Sequence, residues 1–250
     1  MNRDCTWKDF AFFSPREQGV LAIAHRGSVE DGRENNLETF LSVAQLGIRF
    51  LEIDVRGTTL DRLVLWHGKG AERLRPGRPV EDDLAVANGC PTLDEVTFSL
   101  PDDMHFFLDI KNEAAVPLTV NRVVARQLVD RVCIGSFSHA RTLAVAEGIY
   151  ADCGKRPATA LTPRQVLSLM GASYIRRSRD FSIKAVSAQI PAWLAKPRVI
   201  DAAHKAGMLV LPWTVNEPAQ MQALLDIGVD GMMTDRPSLL GEIIASRLAS

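Results

Sequence analysis

Four short stretches of this 250-residue sequence carry side chains able to hold cations, bind anions or move protons: "AHRG" (24–27), "FLEIDV" (50–55), "LVLWH" (63–67) and "LDIK" (108–111). In an extended chain successive side chains point to opposite faces. Leu51, Ile53 and Val55 therefore share one face of "LEIDV", and Glu52 and Asp54 share the other. Asp109 and Lys111 alternate with Leu108 and Ile110 in the same way. Three carboxylates turned into a buried sheet repel one another, and burying them is costly unless they are paired or hold a metal. Oxygen donors at this density suit Mg²⁺ or Ca²⁺ better than Zn²⁺. The plainer alternative is an ion-pair network in which Arg26 and Lys111 neutralise the acids. The presence of His25 and His67 at the ends of neighbouring runs favours a chemical role over that alternative.

Something must bring these stretches together. Nine runs have strand character: 21–26, 50–55, 63–67, 105–111, 131–137, 158–161, 184–190, 208–216 and 231–236. Helix-like segments separate most of them, among them "LETFLSVAQLG", "HARTLAVAEGI", "PRVIDAAHKAG" and "PAQMQALLDIG", several closing on a glycine (Gly47, Gly207, Gly228) suited to a helix C-terminus. Such alternation predicts βα units around a parallel sheet. Parallel neighbours need a crossover of about a dozen or more residues. Only "RGTTLDR" (56–62) joins the second and third runs, so "LVLWH" folds back as an antiparallel hairpin arm. Eight strands of βα type remain, the number that closes a (β/α)8 barrel, whose active sites lie at the C-terminal strand ends. The expected organisation is an N-terminal arm or helix over residues 1–19 and a single barrel domain over 20–250. The Gly-, Pro- and charge-rich segment 68–90 reads as one long loop. Within it, "AERLRPGRP" (71–79) is either a solvated loop or a contact for an anionic or sugar substrate.

Composition narrows the function. A length of 250 residues is ordinary for one such barrel. A net charge of −1 provides no broad basic field for nucleic acid or an anionic membrane. Cys5, Cys90, Cys133 and Cys153 are scattered and form no CxxC pair, so free thiols and a reducing cytoplasm are expected rather than a thiolate zinc site. No apolar run reaches the ~18 residues that a membrane span needs. Charges interrupt the N-terminal stretch, which does not read as a signal peptide.

Taken in order, these motifs resemble the glycerophosphodiester phosphodiesterase family, whose fold is the TIM barrel of phospholipase C-like phosphodiesterases. "AHRG" resembles its opening His-Arg-Gly strand, "ENNLETF" (34–40) its Glu-Asn-Thr segment and "LEIDV" its Glu-x-Asp pair. His67 falls where the second family histidine falls. "PTLDEV" (91–96), "LDIK", "IGSFS" (134–138), "PWTVN" (212–216) and "GVDGMMTDRP" (228–237) complete the series over about residues 20–240. The resemblance implies hydrolysis of a glycerol-type phosphodiester. It implies a divalent metal, Mg²⁺ or Ca²⁺, on Glu52, Asp54 and Asp109, and His25 and His67 as the acid–base pair. It implies that Arg26 and Lys111 bind the phosphate; Trp213 is either an apolar wall of the pocket or a core residue. Glu34 resembles a family acid near the metal or is an acid at a helix start, and Asn216 and Asp235 fall in matching motifs at strand ends, with turn or N-cap roles as the alternative.

The chain also departs from the family pattern. Gly68 stands where the family has Asp, Asp109 where many members have Glu, and Arg33 and Asn36 replace a commoner Pro and Thr. The 24 positions from His67 to Pro91 reduce the usual insertion subdomain to a loop, which leaves the mouth wider or covered by the N-terminal arm or a second subunit. These changes gather on the leaving-group side. They keep open a sugar phosphodiester of the agrocinopine-like opine type, a phosphodiester-forming synthase, cyclisation, and a non-catalytic phosphodiester-binding barrel. The expected partner is a small phosphodiester, with no nucleic acid and no stable membrane association; a homo-oligomer stays open.

Overall fold

The structure is a computed structural model, and it describes residues 5–28, 33–68, 78–175 and 185–248. Among these, nine strands follow in order: β1 (Leu21–His25), β2 (Phe50–Gly57), β3 (Leu63–Leu65), β4 (His105–Ile110), β5 (Val132–Gly135), β6 (Ala158–Thr159), β7 (Ser187–Pro191), β8 (Leu209–Trp213) and β9 (Gly231–Thr234). The helices are α1 (Leu37–Gln45), α2 (Asp82–Ala87), α3 (Leu93–Ser99), α4 (Ala115–Ala125), α5 (His139–Cys153), α6 (Pro163–Ile175), α7 (Pro197–Lys205), α8 (Pro218–Asp226) and α9 (Pro237–Leu248). None of them is long and apolar enough to cross a membrane.

The parallel strands form a closed ring. One sheet runs β6-β5-β4-β2-β1-β9, and β7 pairs with β8. Two backbone contacts join these pieces between β6 and β7: Val186 N–H to Thr159 C=O at 2.9 Å and Leu161 N–H to Ser187 C=O at 2.9 Å. Asp230 N–H to Val210 C=O (3.0 Å) and Val215 N–H to Met233 C=O (2.9 Å) tie β8 to β9. The result is a (β/α)8 barrel. As the connection length requires, β3 is not part of the ring. It lies antiparallel against β2, with Val55 opposite Leu65 and Gly57 opposite Leu63.

Side-chain alternation sorts the strands into two layers. Leu51, Ile53 and Val55 face outward into a cluster with Phe40 and Val43 of α1, Val96 of α3 and Val123 of α4. Burying each such side chain contributes about 1.5–3 kcal/mol, so this face holds β2 in register. The inner face carries Phe50 and Phe107 at the start of β2 and β4, packed with Ile23, Cys133, Leu211 and Met233.

The N-terminal residues fill the base of that inner layer. Residues Trp7–Asp9 and Ala11–Gln18 form 3-10 turns. The Phe12 ring meets Phe107 edge-on at 4.9 Å and Phe50 at 5.6 Å. Trp7 N–H donates to Gly207 C=O, just before β8. Because Phe50 and Phe107 lie toward the N-terminal ends of their strands, the arm stoppers the barrel at the end opposite the C-terminal strand ends. It is not the mouth's cover, an option the shortened loop had left open. Aromatic partners meet it there: Phe12 and Phe13 are almost fully buried, and both rings pack against Phe107 of β4.

The segment read as one long loop contains structure. The helix α2 occupies Asp82–Ala87, with Asp82 and Asp83 in its first turn, where the helix dipole favours negative charge. The basic stretch 71–79 falls almost wholly outside the described residues. The segment "PTLDEV" opens α3 through a capping box, with Thr92 accepting from Glu95 N–H and Glu95 accepting from Thr92 N–H.

Candidate active site

The site lies where β1, β2, β4 and β9 end. β1 stops at His25, and Arg26 and Gly27 turn sharply with φ of +53° and +96°. A Cβ on Gly27 would sit 2.8 Å from the Phe40 ring, so conformation and space both require glycine there. The turn sends the Arg26 guanidinium back over the strand ends. Its Nε pairs with Asp54 Oδ2 at 2.9 Å, and its Nη1 donates to Glu34 Oε2 at 2.9 Å. Asn35 completes the clasp. Its backbone N–H donates to Arg26 C=O, and its side chain donates to Asp54 Oδ2 (3.0 Å) and accepts from Asp54 N–H (3.2 Å).

Glu52, Asp54 and Asp109 converge as their alternation predicts. Each offers an oxygen, and these oxygens lie within 4.8 Å of one another. Asp54 is fully buried and ion-paired, with Lys111 Nζ 2.7 Å from Oδ1. Lys111 also donates to Asp109 Oδ2. Burial opposes the charge on Asp54, but Lys111 and Arg26 outweigh it and hold the carboxyl well below the ordinary range. Lys111 is held above its ordinary range, burial being outweighed by Asp109 and Asp54. Glu52 is treated differently. Burial, and then the charge of Asp54, push its carboxyl up to about 7. Its Oε2 and Asp109 Oδ1 are buried and accept no hydrogen bond. The ion-pair network is thus real around Asp54 but incomplete. Unsatisfied carboxylate oxygens beside an anionic neighbour fit a hard divalent cation.

The histidines flank this cluster. His25 Nδ1 lies 2.7 Å from Asp235 Oδ1, while its Nε2 lies 3.7 Å from Glu52 Oε2. Burial disfavours imidazolium, but the Asp235 hydrogen bond and the Glu52 charge outweigh it and raise the pKa of His25. Asp235 is itself fixed by Asn216, which donates Nδ2–H to Oδ2 at 2.8 Å and accepts from the Asp235 backbone N–H at 2.9 Å. Ser28 Oγ–H donates to the Asp235 carbonyl. His67 arrives through the β2–β3 hairpin, and its Nδ1 lies 3.9 Å from Glu34 Oε1. Arg56 of β2 secures that arm, donating Nε–H to Trp66 C=O and Nη2–H to His67 C=O, both at 3.1 Å. Gly68 follows with φ +96°, a conformation an aspartate there would adopt only under strain.

All eight residues singled out as catalytic, metal-binding or substrate-binding lie on this end of the barrel. Trp213, at the end of β8, meets Phe137 edge-on at 6.4 Å. Glu34 is close to both Arg26 and His67, and Asn216 and Asp235 form the support of His25 rather than helix caps. Asn35 and Arg56 had no signal of their own. Asn35 is an ordinary loop residue by type, and in the sequence Arg56 comes just after the apolar run 50–55, where it reads as an exposed arginine. Beside His67 a cavity of about 230 Å³ is lined by Arg56, Asp109, Lys111, Phe137 and Arg141.

Comparison with known proteins agrees with this geometry. The sequence model of the Glycerophosphoryl diester phosphodiesterase family matches residues 25–239. The chain is 34% identical over 256 aligned residues to "Probable glycerophosphodiester phosphodiesterase 2" of Mycobacterium tuberculosis, covering 93% of each. It is 25% identical to the glycerophosphodiester phosphodiesterase of Caldanaerobacter subterraneus, over 90% of this chain and 98% of the other. Its fold is similar to that of a crystallised glycerophosphodiester phosphodiesterase from Parabacteroides distasonis, with a TM-score of 0.69, 21% identity and coverage of 90% and 97%. A His-Arg-Gly turn, an acidic cluster on a (β/α)8 barrel and this degree of likeness along almost the whole sequence lead to one assignment: the chain belongs to the glycerophosphodiester phosphodiesterase family and is a phosphoric diester hydrolase.

Proposed function

We propose that the protein hydrolyses a small glycerol- or sugar-type phosphodiester in the cytoplasm to an alcohol and a phosphomonoester, with a divalent metal and two histidines. The observation that carries this reading is the meeting of His25, His67 and three carboxylates whose oxygens lie within 4.8 Å at one barrel mouth. Glu52, Asp54 and Asp109 would hold the cation. What Mg²⁺ or Ca²⁺ supplies there is neutralisation of charge on the phosphoryl oxygens.

The chain's own groups account for the rest. Arg26 and Lys111 already point over the acids, and a guanidinium fork and an ammonium both suit phosphoryl oxygens. Water attacks phosphorus as the bond from phosphorus to the alcohol oxygen breaks. One histidine takes the proton from water and the other gives a proton to the leaving oxygen. Asp235 orders His25: accepting from Nδ1–H, it leaves Nε2 facing the reacting centre. Glu34 stands in a corresponding position beside His67. Trp213 and Phe137 provide an apolar wall for the carbon skeleton.

The test is a panel of glycerol and sugar phosphodiesters followed by phosphorus NMR, with and without EDTA. Phosphomonoester should form, stop with EDTA and resume with Mg²⁺ or Ca²⁺. A cyclic or transferred product would instead identify cyclisation or synthesis, and full turnover in EDTA would remove the metal from the scheme.

A further inference from the structure

We infer that the flank of the mouth around Arg141 is a subsite for a second anionic group on the substrate, so that the preferred diester carries a phosphate or carboxylate on its alcohol. This rests on the hydrolase reading above and specifies its substrate class. The argument starts from unequal charge balance among the cations of the mouth. Arg26 is matched by Asp54 and Glu34, and Lys111 by Asp54 and Asp109. Arg141 is not matched in this way. Only 8% of it is exposed, yet its Nε and Nη1 make no hydrogen bond. Its neighbouring acid is Glu113, whose Oε1 lies 3.6 Å from Nε and whose side chain is two-thirds exposed.

A buried guanidinium with idle donors is costly unless something completes it. Its position says what could. Arg141 lines the same cavity of about 230 Å³ as Arg56, His67, Lys111 and Asp109, the one acid there among the described residues, which Lys111 pairs. It belongs to the first turn of α5, where the helix dipole also favours negative charge. The cavity is smaller than the ~300–1,000 Å³ that drug-sized ligands fill, and suits one anionic group with a few carbons. The Arg141 guanidinium is the kind of fork that recognises phosphate or carboxylate oxygens; Arg56 adds positive charge to the same wall while its Nε and Nη2 hold the Trp66 and His67 carbonyls. Phe137 forms the apolar side of the cavity.

The experiment compares three diesters: glycerophosphoglycerol, its terminally phosphorylated form, and its counterpart built on glycerate. The wild type should show kcat/KM at least about tenfold higher for one or both anionic forms, the size of one charged hydrogen bond. In Arg141→Gln that ratio should fall to about one, and in Arg141→Lys it should stay between the two. Equal kcat/KM for all three in the wild type overturns the proposal without any variant. So does an equal loss on all three in Arg141→Gln, which would place Arg141 on the scissile phosphate or in the fold. Calorimetric binding of glycerol bisphosphate against glycerol phosphate separates the two readings. If no diester is turned over but bisphosphate binds at least about tenfold tighter in the wild type alone, the hydrolase reading fails and the subsite stands. If both ligands bind alike, the subsite fails whatever the turnover.

Discussion

The two ends of the barrel are built from the same strands and do opposite things. On the inner face of β2, Phe50, Glu52 and Asp54 follow at every second residue; on β4, Phe107 and Asp109 do. The column thus changes from aromatic to acidic within one strand. At the base, Phe12 and Phe13 meet Phe50 and Phe107 in a dry cluster whose stability comes from buried area and edge-on ring contacts. At the mouth, carboxylates and cations are kept in incomplete balance, with Glu52 Oε2 and Asp109 Oδ1 unsatisfied. On the proposed assignment, stability and reactivity are separated by two residues of chain, and a change at one end should leave the other largely untouched.

That separation can be challenged by substitution. The largest effect is expected at the mouth: His25→Ala or His67→Ala should lower kcat by about 10²–10⁴-fold while the melting temperature stays near wild type. A full-activity double variant would show the histidines to be bystanders. The mirror experiment is Phe12→Ala, which should cost about 3–5 kcal/mol in chemical denaturation and leave kcat/KM little changed below the melting transition. A matching collapse of kcat/KM in the folded protein would mean the two ends communicate. Asp235→Asn should have a smaller effect, roughly 10–100-fold on kcat, because His25 would keep its place but lose its charged acceptor. A shift in the acid limb of the pH–rate profile distinguishes this from mere loosening.

The smallest effect concerns pH at the base. Burial depresses the pKa of His105, which stacks on Phe50 at 4.8 Å. The unfolded chain therefore binds a proton more readily than the native one. Stability is unaffected well above the ordinary value of 6.5 and falls as pH drops from there toward the native pKa. His105→Phe should flatten that decline in denaturant midpoints between pH 7.5 and 5.5; an unchanged slope would assign it to other groups.

Much of the mouth was legible from local pattern. Alternation alone turned Glu52, Asp54 and Asp109 inward, and the short 56–62 connection forced β3 to fold back and carry His67 to the mouth. Long-range partners had no such signature. Asp235 lies 210 residues from His25, and nothing near it announces the pairing. Arg141 sits among helix residues and reads as an ordinary surface arginine until the barrel closes around it. The N-terminal turns have weak local periodicity, and their place is decided by aromatic neighbours contributed by β2 and β4. Helix α2 was hidden in a segment dominated by Gly, Pro and charge, where only its acidic first turn marks a beginning.

The aromatic stopper also bears on the order of events in turnover. With Phe12 and Phe13 packed into the inner layer at the base, diester, alcohol and phosphomonoester are all expected to pass through the mouth. Arrival and departure then compete for the same passage. On the proposed roles of Arg26 and Lys111, the phosphomonoester keeps the group they attract and is expected to be the slower to leave. Accumulated phosphomonoester should therefore inhibit competitively against the diester, and the free alcohol much less.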